Sequence, residues 1–279
     1  AFAHIAARFF TPVPATIVAV TGTNGKTSTV EMTRQLWRML GERAASIGTL
    51  GVTTPDESVS TGLTTPDIVT FHANLSGLAR EGVTHIAYEA SSHGLAMNRL
   101  SGVQVAVGGF TNLSRDHLDY HETMEAYLEA KARLFRDFAQ RACFNIDDPA
   151  GATLAEAFTG DRFTISVAGA PADLRAVAIE GSLAGSQLTL AFEDQEVQVL
   201  LPIVGRHNVE NALVAIGMTA LAGLDREAVL SRPGMRAVPA VASGAIYEMP
   251  PEIILQSGPA CLTDGLDHLE RLLSPSRED

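Results

Sequence analysis

The residues with the most chemical content lie near the start of the chain, in Thr21-Gly22-Thr23-Asn24-Gly25-Lys26-Thr27-Ser28. An apolar, β-branched run at residues 17–20 precedes them, and a helix-compatible segment begins at Lys26. Strand, tight turn and helix N-terminus in that order bring backbone N–H groups and the positive end of a helix onto one anion, as a phosphate-binding loop requires. In such a loop Lys26 reaches the terminal phosphates of a nucleotide, and the Thr27 hydroxyl is placed to ligate magnesium. The full Walker spacing asks for glycine where this chain has Val20, so a plain strand-to-helix turn is the competing reading.

A second chemical signal is the scarcity of lysine. Of 20 basic side chains only Lys26 and Lys131 are lysine. Arginine can supply a surface charge, but not the chemistry of a primary amine. Lys131 falls in a predicted helix over 122–138, whose apolar stripe is Met124, Tyr127, Leu128, Leu134 and Phe135. A lysine there is ordinarily a solvated charge, yet Ala130 and Ala132 leave room for a group attached to its amine. Glu89 closes the apolar run 85–89, and a carboxylate at the carboxyl end of a parallel strand faces the ligand crevice. It reads as a magnesium ligand, a partner of one, or a solvated acid. His117, Asp119 and His121 follow a third strand, and their closeness in sequence does not by itself make a metal site.

These residues need a scaffold. Predicted strands cover 16–20, 85–89, 103–110, 142–146 and 163–167; predicted helices cover 27–40, about 67–82, 122–138 and 205–223. Residues 185–204 alternate with period two about an acidic turn and predict an antiparallel hairpin. Asp67 and Asn208 suit helix N-caps, whereas Asn211 is not explained that way. Residues 46–66, rich in Gly, Thr, Ser and Pro, predict no element. The expected fold is α/β: a mainly parallel P-loop sheet with helices on both faces plus a small antiparallel hairpin region.

The whole chain sets bounds. At 279 residues the length prior is about two domains. A hydrophobic content of 46% with 19% charged residues is that of a globular protein. The net charge of −12 argues against a nucleic-acid surface. No apolar run approaches a membrane span, and no basic region followed by an apolar stretch opens the chain. Cys143 and Cys261 are too few for a disulfide framework, so a cytoplasmic location is expected. A first residue of Ala1 rather than methionine leads us to expect a fragment or a trimmed product. Composition shifts after Pro233-Gly234, where charge becomes sparse.

Taken together, the loop at 21–28, Thr64-Thr65-Pro66, Glu89-Ala90-Ser91-Ser92-His93-Gly94-Leu95, Thr111-Asn112-Leu113-Ser114-Arg115-Asp116-His117-Leu118-Asp119-Tyr120-His121, Ala130-Lys131 and His207-Asn208-Val209-Glu210-Asn211 resemble the Mur ligases. The most similar branch adds the third amino acid to UDP-N-acetylmuramoyl-L-alanyl-D-glutamate. The resemblance implies ATP-dependent amide-bond formation in peptidoglycan precursor synthesis, through an acyl phosphate that an incoming amine displaces. It implies that ATP lies on Gly22, Thr23, Asn24, Gly25, Lys26, Thr27 and Ser28, with Asn208 and Asn211 near the adenine. It assigns one magnesium ion to Thr27 and Glu89, and a second to His117 with a CO2-derived carbamate on Lys131. Lys26, His117 and Lys131 become the catalytic residues, and Thr64, Thr65, Ser91 and Arg99 the holders of the muramoyl dipeptide. Met97 stands where the family often has glutamine.

Residues 1–14, with Ile5, Phe9 and Phe10 apolar and Pro12 and Pro14 at their end, predict a short amphipathic lead-in helix; by the resemblance, 15–232 are the central ATP-binding domain and 233–279 an atypical tail. The expected partners are the UDP-muramoyl dipeptide and diaminopimelate or lysine. Residues 244–260 within the tail are faintly similar to the end of a cobalamin-type solute-binding protein. The missing flanking domains make impaired ligation an expectation. A non-catalytic ATP-binding module and a ligase of the folylpolyglutamate or cyanophycin synthetase type are the alternatives.

Overall fold

The computed structural model describes residues 2–54, 58–59, 66–182, 185–193 and 195–223. The expectations for Thr64, Thr65, Cys261 and the 233–279 tail lie outside the described residues.

At the centre is β1 (Thr16–Thr21), paired in parallel with β5 (His85–Glu89) on one side and β6 (Val105–Phe110) on the other. β2 (Ala44–Gly48) extends the sheet beyond β5, again in parallel; β7 (Ala139–Asn145) and β8 (Asp161–Ser166) extend it beyond β6. One edge continues antiparallel through β3 (Gly51–Thr53) and β4 (Ser58–Val59). The other edge takes β9 (Leu174–Ser182), parallel to β8, and then the antiparallel strands β10 (Gly185–Phe192) and β11 (Gln195–Leu201). Among the described residues this makes one continuous sheet, ordered β11-β10-β9-β8-β7-β6-β1-β5-β2-β3-β4. The expected α/β class with its hairpin is therefore what the chain adopts.

The central strands carry apolar residues on both faces because both faces are covered. Ile17 and Ala19 of β1 face one core with Phe71 and Leu75, whereas Val18 and Val20 face the other with Val30, Leu213 and Met218. The first core lies under α3 (Ile68–Arg80), α4 (Ser92–Ala96), α7 (Pro149–Ala157) and the π-turn Leu134–Phe138, which ends α6 (Met124–Arg133). The second lies under α2 (Lys26–Met39) and α8 (Arg206–Leu221). A short α1 (Phe2–Phe9) leads in, and α5 (Leu118–His121) bridges β6 and α6.

Local chemistry sets the helix starts. Asp67 caps α3 by accepting from the Val69 and Thr70 N–H groups, and the Thr70 hydroxyl, followed by the Thr70 N–H, holds its carboxyl below the ordinary range. Asp148 caps α7 by accepting from the Ala150 and Gly151 N–H groups, and Thr123 caps α6 by accepting from the Ala126 N–H. Asn208 does not cap α8: Gly205 occupies that position, and the Asn208 amide donates to the Val204 carbonyl from inside the first turn. The 46–66 stretch, expected to hold no element, contains the end of β2 and all of β3 and β4. Burial on both sides of β2 removes the alternation that marks a strand.

Candidate functional site

The carboxyl ends of β1, β5 and β2 open into a cleft of about 420 Å³, the place where open parallel sheets offer a crevice. Its floor is the turn between β1 and α2. Gly25 starts the helix at φ 85°, a left-handed conformation, and a Cβ there would lie 2.1 Å from Asn211 Oδ1. A Cβ on Gly22 would sit 1.9 Å from Thr111 Oγ1. Both positions are closed to larger residues.

The turn is clamped from the segment that follows β6. The Thr23 N–H donates to the Asn112 carbonyl at 2.8 Å, and the Asn24 N–H donates to Asn112 Oδ1 at 3.0 Å. Thr111 Oγ1 donates to the Asn24 carbonyl at 2.7 Å, and the Ser114 N–H to Thr23 Oγ1 at 2.9 Å. Residues 111–114 are marked in the sequence only by the family resemblance. Their work here is to hold the loop.

The two lysines of the described residues meet at one atom. Lys26 Nζ donates to the carbonyls of Gly22 at 3.1 Å and Thr23 at 2.7 Å. Lys131 Nζ, brought in by α6, donates to the same Gly22 carbonyl at 2.7 Å. Lys131 is 1% exposed, and its amine stands 4.2 Å from the centroid of the Tyr127 ring. The Tyr127 hydroxyl in turn lies 3.3 Å from Thr23 Oγ1. Burial pulls the Lys131 pKa from 10.5 down to about 6, with the Lys26 charge adding to the effect and Asp116 opposing it. Its amine is therefore mostly neutral at pH 7. Burial also lowers the Lys26 pKa, against Glu89 and Asp116.

Glu89 is buried at the end of β5. Its Oε1 accepts from Thr27 Oγ1 at 2.9 Å, so the two residues expected around magnesium are in contact. A hydroxyl and a carboxylate oxygen side by side are donors suited to a hard cation, with substrate oxygens and water completing the shell. Among the described residues no group of three or more His, Cys, Asp or Glu side chains is placed to hold a metal. The His117, Asp119 and His121 triplet accordingly disperses. His117 lines the cleft from the start of α5, Asp119 is exposed, and the buried His121 ring bonds Ser92 Oγ at 2.9 Å. His93 packs among these rings, 5.2 Å from His117 and 4.1 Å from Tyr120 between centroids. Burial lowers the pKa of both His93 and His121, and the neighbouring imidazoles add to that.

Of the other expected residues, Thr23, Asn24, Gly25, Ser91 and Arg99 line the cleft. Ser91 also caps α4 through the Gly94 N–H, and Arg99 Nη2 reaches Met97 Sδ at 3.4 Å. Ser28 lies half-buried in the first turn of α2. Asn211 is buried behind Gly25, and Asn208 lies one turn earlier on α8; neither lines this cleft. The sequence reading missed Thr49, which lines the cleft and donates to Glu89. It lies in a segment without periodicity, so no sequence signal marks it.

Comparison with known proteins adds an independent line. The model of the Mur ligase middle domain matches residues 20–219. The UDP-N-acetylmuramoyl-L-alanyl-D-glutamate--2,6-diaminopimelate ligase of Zymomonas mobilis is 46% identical over 229 residues, which is 81% of this chain and 47% of that protein. Its namesake in Bradyrhizobium diazoefficiens is 46% identical over 235 residues, 81% of this chain and 48% of that protein. A solved structure of a ligase with the same name superposes with a TM-score of 0.71 at 37% identity, covering 77% of this chain and 45% of that one. The chain thus spans about half the length of the curated relatives it matches.

Proposed function

The chain belongs to the Mur ligase family through its middle domain, and from that premise we propose that it is the ATP-binding part of a peptidoglycan-precursor ligase. The proposed reaction adds the third amino acid to UDP-N-acetylmuramoyl-L-alanyl-D-glutamate, in the cytoplasm. Diaminopimelate is favoured over lysine, because the relatives are named for it. Residues 15–232 form the proposed ATP-binding domain. No described helix is long and apolar enough to cross a membrane.

One observation carries this reading. Lys26 and Lys131 converge on the Gly22 carbonyl, beside a turn whose next residues present the Thr27–Glu89 pair. The turn from Gly22 to Ser28 would hold the phosphates, with its backbone N–H groups and the N-terminus of α2 facing the negative charge. Lys26 would leave the Gly22 and Thr23 carbonyls to follow the transferring phosphoryl group. Asn208 and Asn211 are proposed toward the adenine. Thr27 and Glu89 would hold one magnesium ion, whose chemistry is to neutralise phosphate charge. His117 and a carbamate on Lys131 are proposed for a second. A neutral amine adds to CO2, forming an N–C bond and releasing one proton to leave an anionic carbamate. Burial keeps the Lys131 amine in that neutral, nucleophilic form. Ser91, Arg99, Thr64 and Thr65 are proposed for the muramoyl dipeptide; the Arg99 guanidinium suits a carboxylate or phosphate.

The test is calorimetric titration of the purified protein with ATP and Mg2+, followed by carbon-13 NMR in labelled bicarbonate. We expect binding in the wild type, its loss in Lys26→Met, and a carbamate resonance that disappears in Lys131→Met. Absence of nucleotide binding would refute the ATP reading. A resonance unchanged in Lys131→Met would refute the carbamate assignment.

A further inference from the structure

A carboxylate that is 2% exposed needs donors aimed at it. For Glu89 they come from the end of β2. Ile47 is in register with Tyr88, which sets Gly48 level with Glu89. The chain then turns so that the Thr49 N–H donates to Glu89 Oε1 at 2.8 Å and the Thr49 hydroxyl to Oε2 at 3.2 Å. The corner is shaped around the carboxylate, because a Cβ on Gly48 would lie 2.2 Å from Oε1. From the opposite side Thr27 Oγ1 reaches the same Oε1. One residue therefore engages both oxygens of the group that faces α2.

We propose that Thr49 is a positioning residue for the magnesium site, fixing the Glu89 carboxylate in the orientation that turns Oε1 toward Thr27. The inference rests on the reading of Thr27 and Glu89 as magnesium-binding residues. Partners that orient a ligating carboxylate tune metal affinity by about 10- to 100-fold. Thr49 does so with its hydroxyl on Oε2 and its N–H on Oε1. Gly48 contributes by absence: a methyl group there would push the carboxylate aside, and the flexible end of Glu89 would yield while the fold stayed intact.

The experiment is an electron paramagnetic resonance titration of Mn2+ with a non-hydrolysable ATP analogue and the purified protein. Analogue affinity in EDTA and the thermal unfolding midpoint are measured alongside. Thr49→Val is expected to weaken Mn2+ binding by about 10- to 100-fold, with metal-free analogue affinity and unfolding midpoint unchanged. Thr49→Ser is expected to restore binding. Gly48→Ala, which keeps the Thr49 hydroxyl, is expected to weaken Mn2+ binding as well. Wild-type Mn2+ affinity in Thr49→Val, together with a loss in Glu89→Gln, overturns the inference alone. Wild-type affinity in Glu89→Gln overturns the magnesium reading beneath it. An equal loss of metal-free analogue affinity in Thr49→Val would show loop packing instead, and also overturns the inference.

Discussion

Replacing Lys131 with methionine should change how stability depends on pH. The amine titrates at 10.5 when solvated and at about 6 in the folded protein. Between those values the unfolded chain binds a proton that the folded chain does not. Stability therefore rises with pH across that window, by about 1.4 kcal/mol per pH unit. The penalty is absent above pH 10.5 and complete below pH 6. From pH 7 to pH 9 the gain from Lys131 is about 2.7 kcal/mol. At pH 7 the remaining penalty is about 5 kcal/mol, and the lost bond to the Gly22 carbonyl is worth about 1 kcal/mol. Lys131→Met keeps the unbranched apolar stem, so it should be more stable than wild type at pH 7 by about 4 kcal/mol. Urea unfolding in CO2-depleted buffer, at intervals from pH 6.5 to 10, measures both. The two stability curves should converge as pH rises. Parallel curves would refute the assignment of a buried, neutral amine.

Other perturbations follow from the same geometry. Gly25→Ala forces a left-handed backbone on alanine and drives its methyl into Asn211; it should cost about 1–3 kcal/mol in urea unfolding and abolish nucleotide binding in calorimetry. Asp148→Ala removes the cap of α7 and the acceptor of the Leu113 N–H, and should lower stability by about 1–2 kcal/mol in thermal melts. Tyr127→Phe loses the link to Thr23 but keeps the ring beneath Lys131. Its stability should fall by about 1 kcal/mol, while the pH slope assigned to Lys131 persists.

How much of this the sequence carried depends on how each residue was buried. β5 and α2 were legible because apolar runs and glycines bound them, and Asp67 declared its helix through its capping preference. β2 was not, since Ala44-Ala45-Ser46 buried on both faces resembles loop composition as much as strand. α7 is short, and its start at Asp148-Pro149 reads equally as a turn. The loop, Glu89 and Lys131 stood out because their residue types are chemically costly to place there. Asn208 misled because a good capping residue lies two positions inside its helix, behind a glycine whose positive φ does the turning. The closeness of His117, Asp119 and His121 in sequence did not make a metal site by itself, and among the described residues no group of three such side chains is placed to hold a metal. Thr49 was invisible for a general reason. A hydroxyl that orients a carboxylate 40 positions away leaves no local pattern.

Thr111, Asn112 and Ser114 grip the turn between β1 and α2 through backbone and side-chain hydrogen bonds, and α8 backs it through Asn211. Such a floor behaves as an anvil. Accommodation of ligands of different size, or any closing stroke over them, then has to come from the walls that carry Arg99 and His117 while the base stays still.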